Sequence, residues 1–350
     1  MSDGHAAVQP VIDCHSDVVI DVFRRRQEGE RQVLLRRHLA EHKKGGVVAS
    51  VCTVGGDGAA LSPLGIDKPY ESTVAKLEAL FADVAESEGA YEIVSSADDV
   101  ERCIERGVFA ILPSLEGASP VEGRLDRIKQ FYDQGVRVIG LTWNERNELA
   151  VGTDAGEDTG LSTIGAEAVV LMNDLGIVID LAHASRRTFF DVARLSRAPL
   201  FVSHSNANTI WAHPRNIDDD QLLAIKGSGG IVGVNFYAPF TGPPTVTVDH
   251  LLDHVEYYVK TVGVDSTALG PDFIDYAIPE LTIEMSRHPG VYPDTRYPVG
   301  AETVASLPNV IAGMSRRGLD RASIEKIARG DFLRLLNETQ TLASAPATAG

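Results

Sequence analysis

The chain has 350 residues, is 44% hydrophobic and carries a formal net charge of −17, from 32 Lys and Arg against 49 Asp and Glu. That length suits one large domain or two small ones, and the apolar content can build a substantial core. The acidic balance argues against nucleic acid or an anionic membrane as partner, because phosphate contact needs a basic face.

The first ten residues hold no basic stretch followed by an apolar one, and no run approaches the length of a membrane span. Cys14, Cys52 and Cys103 are odd in number and show no paired spacing, which fits a reducing compartment and thiols used as small core residues. These features predict a cytoplasmic protein. A locally basic stretch, residues 24–44, reads as a solvated helix face and loop.

In chain order, short apolar runs alternate with helical patterns. The runs span residues 10–17, 46–54, 108–117, 136–144, 176–185, 198–205, 230–237 and 266–273. Most begin near Gly or Pro and end in polar residues, the pattern of strands buried on both faces and hence parallel. Between them, residues 73–88, 121–135, 163–176 and 185–197 read as helices. Gly135 and Gly176 are natural C-caps and Ser185 a natural N-cap. Eight strands alternating with helices predict an α/β protein, a (β/α)8 TIM-type barrel, a fold that carries its functional site at the C-terminal mouth. An open doubly wound sheet is the alternative, disfavoured because no Gly-rich phosphate turn follows the first strand. One domain is expected over residues 1–340, with long mouth loops at 55–70 and 274–300 and a flexible tail at 341–350.

The strand ends carry the chemistry. The first offers His15 and Asp17, two apart and so on one strand face. The third offers Glu116, the fifth His183, the sixth His204 and the eighth Asp272. In a barrel these ends converge. Buried carboxylates and imidazoles must be paired, and a divalent ion such as zinc satisfies them together. Two ions sharing a carboxylate such as Glu116 would activate water at neutral pH. There is no nucleophile-elbow serine, and Cys14 points away from His15, so covalent catalysis is the weaker reading.

These motifs resemble the membrane (renal) dipeptidase family of zinc peptidases, within the amidohydrolase-like metal barrels. The resemblance rests on "IDCHSD", "LPSLEG", "GGIVGVNFY", "ALGPDF", the C-terminal "RRGLDRASIEKIARGDFLRLL" and above all residues 171–222. That block holds His183 and His204, 21 residues apart, and Arg215 a further 11 along. The resemblance implies two Zn2+ per chain, bridged by Glu116 and a hydroxide. His15 and Asp17 would hold one and His183 and His204 the other. Asp272 would touch the metal site and act as general base, then acid. Arg215 would grip the substrate's C-terminal carboxylate, with Tyr237 lining the pocket. A dipeptide-like substrate and a homodimer are also implied.

The departure is Trp143. In the family's best-known members a histidine stands there and donates to the oxyanion. Three readings compete. A metal polarises the carbonyl alone; Asn144, Asn147 or His213 replaces the donor; or Trp143 walls a pocket reshaped for another substrate. Two other functions stay open: an amidohydrolase acting on a lactam or N-acyl amino acid, and a silent metabolite-binding scaffold.

Overall fold

The computed structural model describes residues 8–274 and 297–344. Nine strands form one parallel sheet: β1 (Val11–Ser16), β2 (Val47–Gly56), β3 (Tyr91–Ile93), β4 (Phe109–Glu116), β5 (Val138–Gly140), β6 (Val178–Asp180), β7 (Phe201–Ser205), β8 (Ile231–Val234) and β9 (Thr267–Leu269). Eight of them run in the order β1-β2-β4-β5-β6-β7-β8-β9. β1 lies beside β9, so the sheet is a nearly closed barrel. The alternative of an open doubly wound sheet falls on that closure.

The strands are short and rich in Val, Ile and Ala because both faces are covered. One face looks into the barrel, where Ile12, Val51, Leu112, Val138 and Phe201 pack together. Phe332, Leu335 and Leu336 of the last helix, Asp331–Ser344, join this interior cluster. The opposite face packs on the helix ring, with Phe131, Met172 and Phe189 among the buried side chains. Ser185, expected as an N-cap, caps helix Arg186–Leu195 by accepting from the backbone N–H of Thr188, and Ser162 does the same for Thr163–Leu175 through Gly165. Gly176 ends Thr163–Leu175 at φ +71°.

Several boundaries differ from expectation. β3 is an addition the sequence pattern does not reveal: three residues paired only to β4, outside the barrel order. The fourth barrel strand stops at Gly140 rather than residue 144, and His183 lies in the turn after β6. Asp17 does not continue β1 but stands at the N-cap of helix Val18–Gln27. Residues 341–344 belong to the last helix rather than to a tail. Of the 274–300 loop, residues 275–296 lie outside the described residues, as do 345–350. No helix among the described residues is long and apolar enough to cross a membrane.

Candidate metal centre

The barrel's C-terminal mouth gathers all six predicted ligand candidates. His15 is the penultimate residue of β1 and Glu116 ends β4, while His204 sits inside β7. Asp272 follows β9 with φ +58°, a left-handed conformation that Asp tolerates better than most residues. Three overlapping groups have ligand atoms within 4.8 Å of one another: His15, Asp17 and Glu116; Glu116, His183 and His204; and His15, His204 and Asp272. Glu116 Oε1 is the shared point, at 3.4 Å from His15 Nε2, 3.0 Å from His183 Nε2 and 3.6 Å from His204 Nε2.

The surrounding hydrogen bonds decide where the imidazole protons are. His183 Nδ1 donates to Asn144 Oδ1 at 2.8 Å, leaving a lone pair on its Nε2. Ser203 Oγ donates to Asp180 Oδ2 and so accepts from His204 Nδ1 at 2.7 Å. His204 Nε2 therefore also bears a lone pair. These two nitrogens face each other at 2.9 Å, both beside a glutamate oxygen. Three electron-rich atoms pointed at one place repel one another unless a cation lies among them. His15 Nε2 and Asp17 Oδ1 are buried and make no hydrogen bond. Nitrogen and oxygen donors in this array fit zinc or a similar divalent ion.

The electrostatics agree. Burial raises the Glu116 pKa well above the carboxylate range. Burial and then the Arg215 and His15 charges push His183 down, while burial, His15 and His183 push His204 down. Burial also opposes charge on His15, but Glu116, Asp17 and Asp272 together outweigh it and raise its pKa. Asp272 is lifted to about 6, chiefly by burial. His183 and His204 are thus held neutral, the form in which imidazole binds metal, and the buried Glu116 carboxylate needs a positive neighbour to stay ionised.

A cleft opens over this cluster. Its lining includes Arg215, Trp143, Asn144 and Tyr237, as the sequence predicts, together with Asp57. Arg215 is buried. Its guanidinium donates to the Ala182 carbonyl and lies 3.0 Å from His183 Nε2, so it points at the metal cluster. The Trp143 indole lies 6.0 Å from the His183 ring, centre to centre. The donors considered as substitutes beside it are otherwise engaged. Asn144 turns its amide oxygen to His183. Asn147 gives its amide N–H groups to Asp57 and to the Leu141 carbonyl. His213 packs on Phe240 and lines a separate cavity.

Asp57 escapes the sequence reading. It stands one residue past Gly56, the last residue of β2, and so occupies the same strand-end position as the other site residues. The apolar run closes at Val54, and Gly55 and Gly56 hide the true end of the strand. A strand-end count carried through "GGDG" finds it.

Comparison with known proteins agrees with this geometry. The family model for membrane dipeptidases, peptidase family M19, matches residues 6–349. An uncharacterised protein from the pqqA 5′ region of Klebsiella pneumoniae is 33% identical over 72% of this chain and 90% of its own length. An uncharacterised dipeptidase of Schizosaccharomyces pombe is 34% identical over 72% of this chain, and the match spans 58% of the yeast protein. A solved metallopeptidase from Rhodobacter sphaeroides, liganded with a phosphinate mimic of the dipeptide L-Ala-D-Ala, shares the fold. It superposes with a TM-score of 0.83 at 24% identity, over 95% of this chain and 99% of that one. The chain belongs to the membrane dipeptidase family, peptidase family M19, and is a metal-dependent hydrolase.

Proposed function

We propose that this protein hydrolyses the amide bond of dipeptides, or of dipeptide-like small molecules with a free C-terminal carboxylate, at a centre of two divalent metal ions. The carrying observation is the convergence of Glu116 Oε1 with the Nε2 lone pairs of His183 and His204. In this reading His15, Asp17 and Glu116 would hold one ion, and Glu116, His183 and His204 the other. Zinc suits the donor set. When bound, such a pair supplies Lewis acidity and an activated water at neutral pH.

The chain's own groups do the rest. Asn235 donates to Asp272 Oδ2 at 3.0 Å, which leaves Oδ1 facing the cluster, 3.9 Å from His15 Nε2. A carboxyl with a pKa near 6 is well placed to take a proton from the attacking water. Asp272 then returns that proton to the amine nitrogen as the C–N bond breaks. Arg215 holds the substrate carboxylate through paired N–H donors. With the Asn147 amide given to Asp57 and the Leu141 carbonyl, and His213 packed on Phe240, polarising the carbonyl would be left to the bound metal, and Trp143 serves as a wall.

The test is a panel of dipeptides with L and D residues at the C-terminal position, each as free acid and as C-terminal amide. Free acids are hydrolysed and amides are not. In Arg215→Met the kcat/KM for the free acids falls by about 10²-fold, the scale of a lost charged hydrogen-bonding partner. Equal turnover of acids and amides overturns the role of Arg215.

A further inference from the structure

Asp57 is a buried carboxylate whose partners are all neutral donors. The Ser119 N–H reaches Oδ1 at 2.8 Å and the Trp143 N–H reaches Oδ2 at 2.9 Å. The Asn147 amide N–H group reaches Oδ2 at 3.0 Å. The orientation of that amide is settled, because Asn147 Oδ1 accepts from Leu149 and Ala150. Burial raises its pKa from the ordinary carboxylate value, while these N–H donors, each needing an acceptor, favour the ionised form. Among the described residues no Lys, Arg or His forms an ion pair with it. Gly117, at φ +100°, leaves room for it where a Cβ would stand 2.3 Å from the carboxyl carbon.

A buried charge without a counter-charge is costly and calls for a reason. Asp17, Glu116 and Asp272 are balanced by metal in the proposed function. Asp57 belongs to none of the metal-holding groups, yet it lines the same cleft. It leaves the barrel after β2, and the Arg215 loop leaves after β7, four places round the eight-strand ring. The cleft thus has a fixed cation on one wall and a fixed anion on the other.

We propose that Asp57 is a specificity residue that selects substrates with a free α-ammonium group, acting by charge from the wall opposite Arg215. This rests on the dipeptidase reading and names the class within it: zwitterionic dipeptides in preference to N-acyl amino acids. Asp57 need not form a new hydrogen bond to do so. Its oxygens are filled, but its charge is uncompensated in a site of low dielectric.

The experiment compares alanyl-alanine with propionyl-alanine, which lacks only the amine, in metal-loaded wild type and Asp57→Asn. Wild type favours alanyl-alanine by about tenfold or more in kcat/KM, the scale of one uncompensated charge at moderate separation. In Asp57→Asn that preference falls toward unity, with bound metal unchanged. A merely structural role would lower both substrates together and leave the ratio as it was, and that result overturns the proposal. A second measurement needs no variant. In wild type the preference declines above about pH 8, where an α-amino group loses its proton. A pH-independent ratio overturns the proposal equally. Turnover of neither substrate removes the dipeptidase reading and this inference with it, whereas turnover of both without preference removes this inference alone.

Discussion

Asn144 and Ser203 each set the lone pair of a metal-facing histidine. Partners of this kind fix the tautomer and aim of the ring. Asn144→Ala and Ser203→Ala should each weaken metal binding by about 10–100-fold, read by competition with a chelator. Unchanged metal affinity would show that packing alone aims the rings. At this scale the sequence is legible where residues recur in equivalent positions. His15, Glu116, His183, His204 and Asp272 stand out because each lies at or just beyond the C-terminal end of a barrel strand. Asp57 is hidden by glycines, and the Asn144–His183 contact joins positions 39 residues apart that no local pattern links.

The elements show why the strand ends converge so closely. Gly270, just past β9, carries no side chain where a Cβ would lie 1.9 Å from the Ser203 carbonyl oxygen and 3.1 Å from His204 Cβ. Backbone cannot yield as a flexible side chain can. Gly270→Ala should therefore lower thermal stability by several degrees and loosen metal binding at His204, measured by thermal melt and metal content. Wild-type values for both would mean the β9 end has slack. Strand periodicity predicts the eight barrel strands but overruns their ends. β5 stops at Gly140 because the following backbone is claimed by a side chain: the Trp143 N–H goes to Asp57, a partner no hydrophobic pattern reveals. β3 stays hidden because Glu92 interrupts its three residues, so no continuous apolar run marks it.

At the scale of the whole molecule, stability has an acid-sensitive point away from the metal centre. His42 is buried, stacked on the Phe109 ring at 4.5 Å between centroids, with its Nδ1 3.2 Å from the Tyr91 hydroxyl. Burial, with a smaller push from His38, lowers its pKa to about 3. The unfolded chain, with a histidine pKa of about 6.5, takes up the proton first. The contribution is therefore complete above about pH 6.5 and is lost as pH falls toward about 3. Between roughly pH 7 and pH 5 this site should cost about 2 kcal/mol of unfolding free energy. Denaturant melts of wild type and His42→Gln should show the variant losing less stability over that interval. Parallel curves would assign the acid sensitivity elsewhere.

The central claim is a two-metal hydrolytic centre built on Glu116, and its most direct test is a zinc titration of metal-stripped protein. Bound metal and hydrolysis of an unmodified dipeptide are followed together. The account predicts about two equivalents bound per chain, with full activity reached only as the second site fills, and no activity in Glu116→Gln. Full activity at one equivalent, activity without metal, or a Glu116→Gln variant at wild-type rate would contradict it.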